Sequence, residues 1–113
     1  MSFDYDSRRA LQVQTLAVGT DQFTITIAQQ PLNDGFWYSL KLLQAFPTLT
    51  GKETVYIVNG TQNIQLVDRR GRAILSERVL RYGERLRGVY TENGPGATPT
   101  PIFVVYDGIA PVA

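Results

Sequence analysis

The amino-acid sequence predicts a single all-β domain, an antiparallel β-sandwich of jelly-roll or immunoglobulin-like type with about seven to eight short strands. Short segments of alternating apolar and polar residues recur at intervals of about 8–12 residues, as strands do in sandwiches and barrels. Clusters of Gly, Pro, Asn and Asp separate these segments and are typical of turns. With 113 residues, of which 43% are hydrophobic, the chain has the length and the apolar content of one domain.

The first third of the chain contains the clearest strand. Residues 1–9 are polar and of mixed charge, so we expect a short arm in front of a domain that covers residues 10–113. A segment of alternating residues follows and ends at the turn "GTDQ". In "FTITI" (23–27), one phenylalanine and two isoleucines share a face, with threonines opposite. β-Branched residues suit a pleated, half-buried surface, which favours a strand here.

The segment "FWYSLKLLQAF" (36–46) allows two interpretations. As a strand, it places Phe36, Tyr38 and Leu40 on one face and Trp37 on the other. As a short helix, it would align leucines on one side. Three leading aromatic residues and an early proline favour the strand.

Turn signals divide the next part of the chain. Asn59-Gly60 stands between two alternating segments and is the strongest short signal for a β-hairpin. The sequence "DRRG" (68–71) predicts a second tight turn, with Gly71 in the left-handed conformation. We interpret "RAILSERVL" and "ERLRGVYTE" as further strands on either side of a turn at "RYGE". No strong helix is predicted in the chain.

A polar loop and an apolar run end the domain. The loop at 91–101 contains three prolines, so it suits neither a helix nor a central strand, and we expect it to be mobile. The apolar run "IFVVYDG" follows and predicts a well-buried last strand.

The order of turns and strands in the second half resembles a small β-module of bacteriophage virion proteins, found in tail fibres, head fibres and capsid decoration proteins. The resemblance covers residues 20–107, and the steps that carry it are Asn59-Gly60, Gly71, Leu80, Gly83, Val89-Tyr90 and Phe103-Val104. The resemblance implies a structural virion protein that forms a homo-oligomer, as a trimer, and binds other virion proteins. It also implies that the protein is made in the host cytoplasm and resides in the virion.

The composition excludes several classes of function. The chain has neither histidine nor cysteine, which removes the most common general base, serine–histidine triads, thiol nucleophiles and the usual zinc ligands. The opening "MSFDYDSRRAL" lacks the apolar segment of a signal peptide, and no apolar run approaches the roughly 20 residues that span a membrane. We therefore expect no enzymatic activity, no cofactor, no metal and no membrane contact.

Seven of the nine arginines lie within residues 66–88. The net charge is only +1, so the basic character is local, and nucleic acid is not the expected partner. We interpret these arginines as a solvated face of hairpins or as a subunit interface. The alternative is a nucleic-acid- or carbohydrate-binding β-domain with an arginine-rich face, on which tyrosines such as Tyr82 and Tyr90 would stack bases. The candidate interface residues are Arg70, Arg72, Arg85, Arg87, Trp37 and Tyr82.

Overall fold

A computed structural model of the chain describes residues 10–82, 85–92 and 100–110. These residues form eight strands and one short helix, which confirms the predicted all-β class and the number of strands. The expected arm at 1–9, the glycine of the "RYGE" turn and most of the loop at 91–101 lie outside the described residues. The elements in chain order are β1 (Ala10–Leu11), β2 (Val13–Gly19), β3 (Gln22–Ile27), β4 (Trp37–Lys41), β5 (Thr54–Asn59), β6 (Gln62–Val67), α1 (Ser76–Tyr82), β7 (Arg85–Thr91) and β8 (Ile102–Asp107).

All eight strands are hydrogen-bonded into one mixed sheet, in the order β1-β4-β7-β8-β6-β5-β3-β2. The pairs β1–β4, β3–β5 and β6–β8 are parallel, so the prediction of an antiparallel sheet is wrong for these pairs. The two-sheet sandwich is not confirmed. Alternation along a strand indicates which side chains face the core, but it carries no information about which strands become neighbours.

The sheet closes because one stretch of chain joins its two edges. β1 pairs with β4 at one edge and β2 pairs with β3 at the other, yet only Gln12 separates β1 from β2. The two edges must therefore lie side by side, and the sheet curls into a nearly complete barrel. The Ala28 amide donates to the Gln12 carbonyl at 2.9 Å, and Gln44 Nε2 donates to the Val13 carbonyl at 2.7 Å, which reinforces the seam.

The core fills the inside of this barrel. Phe23, Ile25 and Ile27 of β3 are buried, as their spacing predicts. Complete burial of each large apolar side chain stabilises the fold by about 1.5–3 kcal/mol. The largest side chains buried alongside them are Tyr90, Phe103, Leu40, Ile57, Ile64, Leu66, Ile74 and Leu86.

The predicted hairpin is confirmed as β5–β6, with a shift in which residue makes the turn. Asn59 pairs with Gln62, so the loop consists of Gly60 and Thr61. Gly60 takes φ 65° at the first loop position, where a type II′ turn favours glycine. Asn59 stays in the strand, and its buried amide exchanges hydrogen bonds of 2.8 and 3.1 Å with the backbone of Gln30.

The strand interpretation of residues 36–46 is correct for Trp37–Lys41, which form β4; residues 42–46 lie outside the strand, and the helix alternative is not formed. Tyr38 and Leu40 of β4 face the core, as predicted. Phe36 does not join them, because it precedes β4 in a turn that its amide closes onto the Asn33 carbonyl at 3.1 Å. Its side chain is 41% exposed.

The predicted strand "RAILSERVL" is wrong, because its second half forms α1. Donors at the start of this helix bind the loop at residues 50–53, which precedes β5. The Ser76 amide donates to the Glu53 carbonyl, and the Glu77 amide donates to the Gly51 carbonyl. Val79 packs into the core. The Ser-Glu pair is a typical helix start that the alternation obscured. This helix of the described residues is too short and too polar to cross a membrane.

β7 and β8 approach each other closely at Gly88. A Cβ atom at this position would overlap the Val104 carbonyl oxygen, so only glycine fits. The register shifts here: Arg87 pairs with Asp107 and Gly88 with Val105, which leaves Tyr106 as the extra residue of a β-bulge. The bulge directs Tyr106 outward, where it is 47% exposed.

Candidate functional site

The arginines between residues 66 and 88 do not form one stripe. Those of the 68–72 turn come together with one arginine from α1 around a cavity of about 380 Å³. We call it the arginine cavity. Its lining residues are Asp68, Arg69, Arg70, Arg72, Arg78, Val105, Tyr106 and Ile109.

The turn after β6 builds one wall of the arginine cavity. The Gly71 amide donates to the Asp68 carbonyl at 2.9 Å, and Gly71 takes φ 80°, as the sequence predicts. Asp68 Oδ1 accepts the Arg70 and Arg72 amides at 2.9 and 3.0 Å. The aspartate therefore folds its own turn, as Asp commonly does, and the turn carries Arg69, Arg70 and Arg72 to the cavity.

Arg78 of α1 fixes the opposite wall. Its Nη1 donates to Asp68 Oδ2 at 3.1 Å, and its Nε donates to the Ala110 carbonyl at 2.7 Å. Arg72 Nε lies 3.7 Å from the same carboxylate oxygen. The Arg78 side chain is only 15% exposed, whereas that of Arg72 is 54% exposed. The Arg78 guanidinium is thus held by two hydrogen bonds, whereas Arg72 is mostly exposed and makes a longer ion pair.

The electrostatics of the arginine cavity are positive. Burial acts to raise the pKa of Asp68, but hydrogen bonds from the Arg72 and Arg70 amides and from the Arg78 guanidinium outweigh it. The pKa of Asp68 therefore lies below its ordinary value, and the carboxylate stays ionised. Four guanidinium groups against this single carboxylate leave three excess positive charges around the cavity.

A second feature, the aromatic ridge, consists of Arg87, Trp37 and Tyr106 on the outer side of the sheet. The Arg87 guanidinium lies 4.7 Å from the centroid of a Trp37 ring, within the range of a cation–π contact. The Trp37 and Tyr106 rings have centroids 5.0 Å apart and are tilted by 47°. Trp37 pairs with Val89 of β7, two positions from Arg87, so the two side chains are diagonal cross-strand neighbours. Tyr106 belongs to both the ridge and the arginine cavity.

The structure separates the predicted interface residues into groups. Arg70 and Arg72 line the arginine cavity, whereas Trp37 and Arg87 form the aromatic ridge. Arg85 lies apart from both and lines a cavity at the seam between β1 and β4.

Of the tyrosines proposed for base stacking, Tyr90 is not exposed to a ligand. Tyr82 is the last residue of α1. Tyr90 is buried in the core, where Gln62 Nε2 donates to its hydroxyl at 3.0 Å. Burial, the largest influence, raises the pKa of this phenol.

Four charged or aromatic residues of these surfaces were not among the predicted candidates: Asp68, Arg78, Arg69 and Tyr106. Asp68 was predicted only as a turn residue, and Arg78 was assigned to a strand. Tyr106 reaches the surface through a bulge opposite Gly88, which alternation does not reveal. The Asp-Arg-Arg-Gly turn followed by a Ser-Glu helix start is the signal that could have found the first two.

A second buried carboxylate, Glu53, has a different environment. It accepts hydrogen bonds from the Ser76 hydroxyl at 2.6 Å, the Thr50 amide at 2.9 Å and the Gly51 amide at 3.1 Å. The Ser76 hydroxyl contributes most to lowering the pKa of Glu53 to about 2. Its donors are neutral and come from the chain itself, so this group ties the 50–53 loop to the start of α1.

Acidic residues do not gather elsewhere in the described structure. Within residues 10–82, 85–92 and 100–110, no three of them are placed to hold a metal ion. Asp34 Oδ1 accepts the Glu92 amide at 2.9 Å and so supports a loop.

No family model, curated protein or solved structure matches the chain.

Proposed function

We propose that the protein is a non-enzymatic structural subunit of a phage-type virion, of the capsid decoration, head-fibre or tail-associated kind. It assembles with copies of itself and binds other virion proteins. The observation that carries the interaction role is the aromatic ridge. Trp, Tyr and Arg are the residue types that dominate the energetics of protein interfaces. Here Trp37 contacts both Arg87 and Tyr106 on an outer face of the sheet.

The ridge favours a protein partner over a sugar or a nucleic-acid base. The indole of Trp37 is half-buried and already contacts both Arg87 and Tyr106, so it does not present a bare ring for stacking. Rigid aromatic side chains with a neighbouring guanidinium contribute contact area at a low cost in conformational entropy. A partner surface would contact the edges of the stack and the exposed Tyr106.

The virion assignment and the trimer rest on the resemblance of residues 20–107 to phage β-modules. From the same resemblance we propose that the chain packs in the jelly-roll or immunoglobulin-like way of such modules. Closed symmetric oligomers are the usual state of such subunits, and in a trimer a patch on one copy contacts a different patch on the next copy. Genes for capsid, portal or tail proteins beside the coding sequence would support this assignment, whereas a metabolic gene cluster would count against it.

Light scattering over a concentration series tests the interaction role. We expect the wild-type protein to self-associate and Trp37→Ala to weaken this association by about tenfold or more, the order of effect of a central interface anchor. Tyr106→Ser should act in the same direction. Val18→Thr is the matched control, because Val18, at 42% exposure, is about as exposed as Tyr106 but lies on β2, outside the ridge. A strictly monomeric wild-type protein at high concentration would contradict the proposal.

A further inference from the structure

We propose that the arginine cavity binds a phosphate-type dianion, presented as a phosphate monoester with an aromatic or aliphatic substituent. The inference does not rest on the proposed function, because a subunit could assemble through the aromatic ridge whether or not the cavity is filled. It rests on the charge, the geometry and the size of the cavity.

The charge around the cavity is too large for its own acid to balance. The charge of Asp68 is already paired with that of Arg78, and its carboxylate also accepts two backbone amides. The guanidinium groups of Arg69 and Arg70 have no partner among the described residues, although both line the cavity. A ligand with two negative charges matches this excess better than a single carboxylate does.

The guanidinium groups also approach from different elements. Arg69, Arg70 and Arg72 come from the turn after β6, whereas Arg78 comes from α1. A carboxylate offers two oxygens in one plane, which suits one guanidinium fork. A phosphate monoester offers three oxygens in a tetrahedral arrangement and can meet guanidinium groups from several directions. The exposed Arg72 is free to turn toward such a ligand while Arg78 holds its position.

The cavity has room for more than a bare phosphate. At about 380 Å³ it falls within the usual range for small-ligand sites, roughly 300–1,000 Å³. Val105, Tyr106 and Ile109 supply a wall that is apolar and partly aromatic. An organic substituent next to the phosphate would contact this wall, which favours a monoester over inorganic phosphate.

A long polyanion fits these observations less well. Nucleic acid needs a track of positive charge along the surface. Here the charge is gathered in one cavity, Arg85 lies at the β1–β4 seam, and the net charge of the chain is only +1.

Isothermal titration calorimetry at constant ionic strength, with chloride as the background anion, tests the proposal. The probes are phenyl phosphate, inorganic phosphate and benzoate. We expect phenyl phosphate to bind more tightly than inorganic phosphate, and benzoate to bind at least about tenfold more weakly than phenyl phosphate. The double variant Arg69→Gln/Arg70→Gln should weaken phenyl phosphate by about tenfold or more without loss of folding, because both side chains are exposed and unpaired in the described structure.

Arg85→Gln is the matched control and should leave phenyl phosphate binding unchanged. Equal affinities for the two phosphates would assign the site to free phosphate and overturn the monoester. If benzoate bound as tightly as phenyl phosphate, the inference that the cavity prefers a dianion would be overturned. A short DNA duplex that binds more tightly than phenyl phosphate, and is weakened by Arg85→Gln as much as by the double variant, would overturn the cavity as the site. The absence of any heat of binding for phenyl phosphate and inorganic phosphate would also overturn the proposal. Self-association is measured separately, so failure here leaves the proposed function standing.

Discussion

Two buried carboxylates hold α1 in place, and they do so in opposite ways. Glu53 and Asp68 are similarly buried, at 5% and 6% exposure, and the pKa of each lies below its ordinary value. Glu53 accepts hydrogen bonds from the Ser76 hydroxyl at the start of the helix and from the Thr50 and Gly51 amides of its own loop. Asp68 accepts two amides and, in addition, the guanidinium of Arg78 from the body of the helix.

This difference separates a structural group from a candidate binding site. The environment of Glu53 is closed: neutral donors from Ser76, Thr50 and Gly51 bind the ionised carboxylate, and no arginine or lysine among the described residues donates to it. The environment of Asp68 is open on one side, because the arginines that surround it outnumber it and face a cavity. A buried acid alone therefore does not indicate function. Excess charge of the opposite sign around a concave surface is the informative feature.

The largest effect on stability is expected from Asp68→Asn. The change leaves the buried Arg78 guanidinium without its carboxylate, and breaking one side of a buried ion pair costs about 3 kcal/mol. Urea unfolding measures the loss. Asp21→Asn is the matched control, because Asp21 is exposed and its backbone takes φ 57°, a conformation that asparagine tolerates. The free energy of unfolding of this variant should differ from that of the wild-type protein by less than about 0.5 kcal/mol.

A double-mutant cycle sharpens this prediction. Adding Arg78→Met to Asp68→Asn should cost less than Arg78→Met does in the wild-type protein, because the ion pair is already broken. Additive effects of the two changes would mean that Asp68 and Arg78 are not coupled. The described contact between them would then contribute nothing to stability.

A smaller loss of stability is expected from Glu53→Gln, although this change also removes one buried negative charge. The amide oxygen of glutamine can still accept from the Ser76 hydroxyl or from the Thr50 amide, and no buried cation is left behind. Urea unfolding under the conditions used for Asp68→Asn gives the ranking. A loss equal to or greater than that of Asp68→Asn would contradict the contrast between the two groups.

The dependence of stability on pH offers an independent comparison. The pKa of Glu53 falls from 4.5 to about 2 on folding, so the stability that its ionised form contributes is present above pH 4.5. This contribution is lost as the pH falls from 4.5 toward about 2. Urea unfolding across this range should show a steeper decline for the wild-type protein than for Glu53→Gln. Parallel curves would mean that Glu53 titrates normally in the folded protein.

The smallest effect on stability is expected from Arg70→Gln. The side chain is exposed at the rim of the cavity, and the hydrogen bond that Arg70 donates to Asp68 comes from its backbone amide. The free energy of unfolding should change by less than about 0.5 kcal/mol. Thermal unfolding in chloride buffer measures it. A large loss would show that the rim arginine stabilises the turn and is not available for a ligand.

Local patterns predicted local features of the fold well. The alternation in "FTITI" identified core positions of β3, and the glycines at 60 and 71 marked the β5–β6 hairpin and the turn after β6. The pairing of strands depends on contacts between distant parts of the chain, such as the parallel pair β6–β8. The position of α1 depends on the 50–53 loop, which accepts the donors at its start. Periodicity within one segment contains neither kind of information.

The candidate site was predictable only in fragments. Arg70 and Arg72 stand on either side of a glycine turn, and Trp37 stands out by its residue type. Their grouping depends on the helix that carries Arg78 and on the bulge that exposes Tyr106. Both depend on tertiary packing, and so the arginine density indicated a surface without showing that it is concave.

The contrast between an open and a closed carboxylate environment can be tested most directly by following backbone amide signals in NMR spectra during a titration with phenyl phosphate at constant ionic strength. We expect saturable shifts of the Arg70, Gly71 and Arg72 amides, which belong to the turn that Asp68 organises beside the arginine cavity. The amides of Thr50 and Gly51, which bind Glu53, should not move. Shifts of equal size in both groups, or none at Arg70–Arg72 at any concentration, would contradict the account.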